Sequence, residues 1–170
     1  MVQISSPSSR RKFLALCGTG AVGALAYRSI GRSDAATIGG ANAPFSLTDA
    51  AWRKRLSPQA YAVLRQASTE YPFTSPLNTE HRTGIFVCVG CGLPLFSSST
   101  KFDSGTGWPS FYDHLAHALL ERADTSSGEE RTEARCKRCA GHLGHVFDDG
   151  PKPTGLRYCM NGVAMAFHPA

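Results

Sequence analysis

The chain has 170 residues and a formal net charge of +5, with 17 Gly, 10 Pro, 42% hydrophobic and 9% aromatic residues. This composition favours one loop-rich β domain with an extension over a helical bundle. Residues 1–36 hold five basic residues and one acidic residue, so they carry +4 of the charge and leave +1 for the rest. A domain so close to neutral gives no electrostatic argument for nucleic-acid binding.

The N-terminus has the pattern of an export signal. Arg10 and Arg11 precede an apolar stretch of 14 residues, 13–26, which is too short to cross a bilayer as a stable helix. Small residues suited to cleavage follow, and the pattern resembles the twin-arginine signal of bacteria. That resemblance implies export to the periplasm or cell envelope, whereas the alternative is a basic N-terminus with a chance apolar run.

No second long apolar segment is present, so we expect no stable membrane insertion of the mature protein. The predicted organisation has three segments: signal peptide and linker start (1–36), linker (37–46) and catalytic domain (47–170).

Two short helices are predicted at the start of the domain. Thr48 can cap a helix that runs to about Arg55, and Ser57-Pro58 has the N-cap and N1 residues of a second helix. We expect this second helix to end within residues 69–73, because the residue before Pro72 avoids the helical region.

From Gly84 onward the pattern favours short strands. Residues 98–114 are predicted to form a long loop, residues 115–120 a strand or short helix, and Gly141 and Gly144 indicate a further loop. The remaining β-type runs cover residues 85–87, 95–96, 131–135 and 156–167.

Four cysteines form two CxxC pairs: Cys88 with Cys91, and Cys136 with Cys139. Four thiolates in two knuckles can hold one tetrahedral Zn²⁺ completely, so the pairs predict a closed structural site. Two disulfides and a redox dithiol are the alternatives.

A finger-like site is a further alternative for the second pair. It would join Cys136 and Cys139 to His142 and His145, although the short spacings would strain tetrahedral geometry.

Cys159 lies outside both pairs and is the candidate nucleophile. If residues 156–161 form a strand, Arg157, Cys159 and Asn161 share a face, while Tyr158 and Met160 point the other way. A neighbouring Arg lowers the pKa of a thiol and so favours the reactive thiolate. The alternative is a buried structural cysteine, which two polar neighbours argue against.

Together these motifs resemble the B-type methionine sulfoxide reductases. The match runs from about residue 48 to residue 168, and no single motif carries it. Its parts are the two CxxC pairs, Gly107-Trp108-Pro109-Ser110-Phe111, His142-Leu143-Gly144-His145-Val146-Phe147, and Arg157-Tyr158-Cys159 followed by Asn161.

The resemblance implies a role for each matching residue. Cys159 would attack the sulfoxide sulfur, His145 and His142 would bind and protonate its oxygen, Asn161 would orient that network, and Trp108 would pack on the substrate methyl group. Such roles suit the chemistry, since a sulfoxide oxygen leaves only once protonated and an aromatic wall suits a methyl group. Ordinary core packing for Trp108 and a structural role for His142 remain alternatives.

The resemblance also implies the fold, the cofactor and the partners. It implies a mainly β fold of antiparallel sheets with short N-terminal helices and one structural zinc in the paired knuckles. The substrates would be oxidised proteins or peptides that carry methionine-R-sulfoxide, with methionine and a sulfenic acid on Cys159 as the products.

The chain departs from the family pattern at Thr106, where many members have a second, recycling cysteine. We therefore expect an external, thioredoxin-like thiol to reduce the sulfenic acid directly. Two other functions remain open: a zinc-stabilised binding module without catalysis, and a thiol oxidoreductase, which would need a second redox cysteine.

Overall fold

The computed structural model describes residues 44–170. The predicted export signal and most of the predicted linker lie outside these residues. Within the described part of the chain, no helix is long and apolar enough to cross a membrane.

Two capped helices begin the domain as the sequence predicts. Helix α1 covers Asp49–Arg55 with Thr48 as its N-cap, and helix α2 covers Pro58–Gln66 with Ser57 as its N-cap. The predicted end of α2 is wrong by a few residues. Ala67 adopts the left-handed conformation with φ 53° and terminates the helix well before Pro72.

The described residues form nine strands: β1 Gly84–Cys88, β2 Pro94–Ser97, β3 Lys101–Phe102, β4 Ser110–Phe111, β5 Leu119–Asp124, β6 Arg131–Cys136, β7 His142–Phe147, β8 Arg157–Met160 and β9 Met165–Pro169. They make a three-stranded sheet, β2-β1-β9, and a six-stranded sheet, β3-β4-β8-β7-β6-β5. Every reported pair is antiparallel, so the predicted fold class is confirmed.

Two of the predicted loops contain strands. The segment 98–114 includes the two-residue strands β3 and β4, and the segment around Gly141 and Gly144 is mostly strand β7. Gly144 serves close packing there, because a Cβ on it would lie 2.1 Å from the backbone oxygen of Cys159.

Aromatic side chains join the two sheets. Phe96 of β2 stacks on Phe111 of β4 with ring centroids 4.2 Å apart, and Phe86 of β1 meets the same ring edge-on at 4.9 Å. All three rings are fully buried, and burial of each contributes roughly 2 kcal/mol. Because β4 pairs with β8, this core also holds the strand that carries Cys159.

Candidate active site and metal centre

The two knuckles are built on the same turn. Each begins at the last residue of a strand, Cys88 of β1 and Cys136 of β6. The residue four positions later donates its N–H to that cysteine's carbonyl, from Gly92 at 2.7 Å and from Ala140 at 2.8 Å. Both donors have positive φ, 72° and 55°, which curls the chain so that two sulfurs project to one side.

The four knuckle sulfurs converge on one point. All lie within 4.8 Å of one another, with Cys88–Cys139 at 3.8 Å and Cys91–Cys136 at 3.5 Å. A tetrahedron with metal–sulfur bonds of about 2.3 Å has edges of about 3.8 Å, so the donor set fits a single metal ion. The cysteines are buried and free, which argues against the disulfide alternative.

The finger-like alternative is wrong, because the sulfurs of Cys136 and Cys139 converge with those of Cys88 and Cys91 and not with the two histidines, each of which has a carboxylate partner. His142 is fully buried and its Nδ1 lies 2.7 Å from Oε1 of Glu133. His145 is on the same strand, and its Nε2 lies 2.8 Å from Oδ2 of Asp124. The two imidazoles meet edge-on with centroids 5.3 Å apart.

Each histidine has a different environment. Burial lowers the pKa of His145, and the bond to Asp124 opposes this effect. The Nε2 of His142 is buried and has no hydrogen-bond partner among the described residues. Burial alone would raise the pKa of Glu133, but bonds from His142 and Arg122 outweigh it and the pKa lies below its usual range.

Cys159 lies at the centre of the six-stranded sheet. It pairs in register with His145 of β7 on one side and with Ser110 of β4 on the other. Burial raises the pKa of its thiol, and this rise is opposed by Thr106, Arg157 and Ser110. The pKa of the half-buried thiol therefore stays above its ordinary value, because these groups offset only part of the effect of burial.

Hydroxyl groups line one side of Cys159. Thr106 Oγ1 is 3.9 Å from the sulfur and 2.8 Å from Ser104 Oγ, which is 2.7 Å from Ser110 Oγ. The side chain at position 106, where the sequence lacks a second redox cysteine, therefore faces the thiol.

Arg157 and Asn161, which the sequence predicts on the face of Cys159, have different partners. Arg157 interacts with Cys159 and makes two 2.8 Å bonds to Asp149. Asn161 lies beyond the end of β8, where its amide donates to the Leu143 carbonyl and accepts from the Glu70 N–H. Among the described residues, Asn161 thus has no hydrogen bond to the thiol or to either histidine.

Trp108 is half-buried in the loop before β4. Its indole N–H donates to the Glu70 carbonyl at 3.2 Å, and the neighbouring Gly107 carbonyl accepts from the Phe73 N–H at 2.7 Å. The Trp108 side chain therefore packs next to segment 68–77 and is not part of the buried core.

Sequence reasoning missed the residues that hold the site together. They are the carboxylates that bind the histidines and Arg157, the hydroxyls beside the thiol, and the residue that binds Asn161: Asp124, Glu133, Asp149, Ser104, Ser110 and Glu70. Their residue types are common, and apart from Ser110 no motif marks them. Chemically, the site offers one thiol, a guanidinium, a chain of hydroxyls and two carboxylate-bound imidazoles.

Comparison with known proteins identifies relatives over almost the whole described domain. The family described as SelR domain matches residues 56–169. A protein of Thiobacillus denitrificans is 59% identical over 123 residues, covering 72% of this chain and 93% of its own length. One from Pseudomonas putida is 56% identical over 69% of this chain and 90% of its own length, and one from Leptospira interrogans is 50% identical over 71% and 92%. All three carry the name peptide methionine sulfoxide reductase MsrB.

Proposed function

This chain belongs to the SelR-domain family, and from that premise we propose that it is a peptide methionine sulfoxide reductase acting on the R epimer in proteins. The observation that carries the proposal is the in-register pairing of Cys159 with His145, which places a nucleophile beside a proton donor. Substrates are oxidised proteins or peptides, and the product is methionine.

The reaction is a two-electron transfer from the Cys159 thiolate to the sulfoxide. The thiolate attacks the sulfoxide sulfur, and a proton from His145, aided by His142, goes to the oxygen. The attack forms a bond between the Cys159 sulfur and the substrate sulfur. As the protonated oxygen transfers to Cys159, the sulfur–oxygen bond and this sulfur–sulfur bond both break, so methionine leaves reduced and Cys159 is oxidised to the sulfenic acid. Arg157 and Thr106 stabilise the thiolate, in keeping with their effect on its pKa.

Two further residues take supporting roles. Trp108 packs against the methyl group of the substrate, for which a half-buried indole at the domain edge is suited. Asn161 orients the polar network indirectly, because its amide holds the Leu143 carbonyl next to His142.

Cys88, Cys91, Cys136 and Cys139 would hold one zinc ion per chain. Four thiolates are the donor set typical of structural zinc, and their spacing supports this assignment. With four sulfur ligands and no open position, such an ion would supply stability alone.

An external, thioredoxin-like thiol regenerates the enzyme. One thiol attacks the sulfenic acid, releasing water and leaving a mixed disulfide, and a second thiol then frees Cys159 as an external disulfide forms. Two observations support this route. Cys159 is the only cysteine of residues 44–170 outside the four-cysteine cluster. The residue next to its sulfur, at the position expected for a recycling cysteine, is Thr106.

Turnover on separated epimers tests the proposed activity. The zinc-loaded protein with excess dithiothreitol should reduce a peptide methionine-R-sulfoxide and leave the S epimer unchanged. Cys159→Ser should abolish turnover, whereas Cys17→Ser, the same substitution within the predicted export signal, should not. Folded protein that reduces neither epimer would instead favour the non-catalytic binding module.

Disulfide mapping after one turnover without reductant tests the recycling route. The native chain should retain a sulfenic acid and no internal disulfide, whereas Thr106→Cys should form a disulfide to Cys159, because the two side chains are 3.9 Å apart. A native disulfide between Cys159 and any other cysteine of the chain would contradict direct reduction.

We also propose that the protein works in the bacterial periplasm or cell envelope after twin-arginine export. The support is the order of Arg10, Arg11 and the apolar stretch that follows them. Replacing both arginines by lysine should retain the protein in the cytoplasm on cell fractionation, whereas Arg28→Lys should not. Unchanged export of the double variant would refute this pathway.

A further inference from the structure

Two aromatic side chains beside the proposed active site are exposed to solvent. Tyr71 is 83% exposed and Phe73 is 73% exposed. The other exposed large apolar side chains among residues 44–170, Leu120 and Val89, reach only 45% and 37%. Scattered exposed apolar residues are ordinary, but two large rings in one short segment form a patch of the kind that marks binding surfaces.

The backbone at Phe73 is held in an unfavourable conformation. Its φ is +64°, a region that bulky side chains seldom adopt, at a cost of about 1–3 kcal/mol. The Phe73 N–H bond to Gly107 at 2.7 Å maintains it, and a Cβ on Gly107 would lie 2.9 Å from the Phe73 backbone nitrogen. Such strain persists when the surroundings impose it, and here it keeps an aromatic ring in solvent.

Glu70 connects the same segment to two parts of the proposed active site, the Trp108 loop and residues 161–163. The Glu70 carbonyl accepts from the Trp108 indole, and its N–H donates to Asn161. Its carboxylate accepts the backbone N–H groups of Gly162 and Val163 at 2.5 and 2.9 Å. The aromatic patch is therefore a rigid continuation of the wall on which the substrate methyl group would lie.

A groove of about 600 Å³ opens next to the patch. Its lining is more apolar than polar: Tyr71, Leu77, Val163 and Met165 line it together with polar side chains such as Glu70 and Thr74. This volume exceeds that of one side chain, and its lining suits apolar groups.

We propose that Tyr71, Phe73 and this groove form the docking surface for the polypeptide on either side of the methionine sulfoxide, with a preference for apolar neighbours. The inference rests on the proposed function and deepens it, since a sulfoxide at Trp108 within a longer chain has neighbours that must cross the adjoining surface. The occupant is an extended segment of the substrate protein, held by its side chains against two fixed rings.

The test compares three substrates of the zinc-loaded full chain, with dithiothreitol as reductant. Two are peptides of equal length with a central methionine-R-sulfoxide, flanked on both sides by leucine or by serine. The third is N-acetylmethionine-R-sulfoxide, which has no neighbours. We expect kcat/KM to be about tenfold higher for the leucine peptide than for the serine peptide, the order expected when one apolar side chain is buried.

The variants are Tyr71→Ala, Phe73→Gly and the double substitution. Glycine removes the Phe73 ring and accepts the positive φ, so the backbone stays in place. The leucine preference should fall from about tenfold to near unity in the double variant, mainly through KM, as expected for lost ground-state binding. Leu120→Ala, an exposed apolar residue on β5, is the matched control and should keep the preference.

The outcomes separate this inference from the proposed function. Failure of the native chain to reduce any of the three substrates refutes the function itself. Equal kcat/KM for both peptides, or an unchanged leucine preference in the double variant, refutes the docking surface and leaves the function intact. Two results would assign the patch elsewhere and refute the inference: variant defects confined to assays with a protein reductant, or an altered oligomeric state in light scattering.

Discussion

At the scale of single residues, two carboxylates orient the two histidines in opposite ways. Glu133 binds Nδ1 of His142, whereas Asp124 binds Nε2 of His145. A neutral imidazole carries one N–H, so each carboxylate fixes a tautomer by accepting that N–H and leaves the other nitrogen bare. Two identical side chains on one strand thus present different nitrogens to the site.

The Asp124–His145 bond gives a pH prediction. If protonated His145 is the acid, turnover falls as the pH rises through the His145 pKa, which burial lowers. The Asp124 bond opposes that lowering, so Asp124→Asn should lower the pKa further and move the falling limb toward acid. The pH profile of kcat for the native and variant proteins measures this shift.

A remote carboxylate provides the control for that profile. Asp49 also pairs with a cation, Arg53, but it lies on helix α1 and outside the site. Asp49→Asn should leave the limb in place. A limb that moves toward alkaline pH in Asp124→Asn would show that His145 is not the acid.

At the scale of elements, the pairing of β7 with β8 positions the chemistry. Gly144 opposes Met160 and His145 opposes Cys159. The missing side chain at Gly144 lets the strands approach, because a Cβ would lie 2.1 Å from the Cys159 carbonyl oxygen. The atoms that this Cβ would meet belong to the backbone of Cys159 and Met160 and not to a flexible side chain. Only separation of the two strands would therefore relieve the clash.

Gly144→Ala should therefore reduce both stability and activity. Separation of the strands should cost about 1–3 kcal/mol of unfolding free energy, as overpacking does. A shift of about 1 Å between His145 and Cys159 should reduce kcat about a hundredfold. Denaturant unfolding and steady-state kinetics measure the two effects.

Gly90→Ala is the matched control for this substitution. Its added Cβ would lie 3.4 Å from Leu64 and Trp52 and 3.5 Å from the Cys88 sulfur, which are ordinary contacts. An unfolding free energy equal to that of the native chain in Gly144→Ala would show that the strand pair can accommodate a side chain.

At the scale of the whole domain, the cysteine cluster joins the two sheets. Cys88 ends a strand of the three-stranded sheet and Cys136 ends a strand of the six-stranded sheet. Helix α2 adds a further tie, since Arg65 donates to the Cys139 carbonyl at 3.1 Å. A metal ion in the cluster would bind the folded state alone, and its binding energy would add to the stability of the fold.

Removal of the metal should consequently lower the melting temperature. We expect a fall of about 10 °C or more on chelation, the size expected for the loss of several kcal/mol. Elemental analysis should find one zinc per chain in the native protein and less in Cys136→Ser. Cys159→Ser, a cysteine outside the cluster, should retain both zinc and melting temperature, and a chelated protein that melts unchanged would contradict a structural role.

The sequence by itself determined the features that depend on local spacing. The helix starts at Thr48 and Ser57 follow from capping chemistry within four residues. The two CxxC pairs predicted that four sulfurs meet at one metal site, because each pair is a local turn that carries two ligands. The motif order also predicted the family, which the comparisons confirm.

The tertiary structure alone decided which common residues support those motifs. Asp124 reaches His145 across 21 positions, and Glu70 reaches Asn161 across 91. No spacing rule joins such pairs, because β-sheet register and loop packing bring them together and many registers share one hydrophobic pattern. For the same reason, the sequence alone does not show that Tyr71 and Phe73 are exposed next to the Trp108 loop, to which Glu70 and Phe73 are hydrogen-bonded.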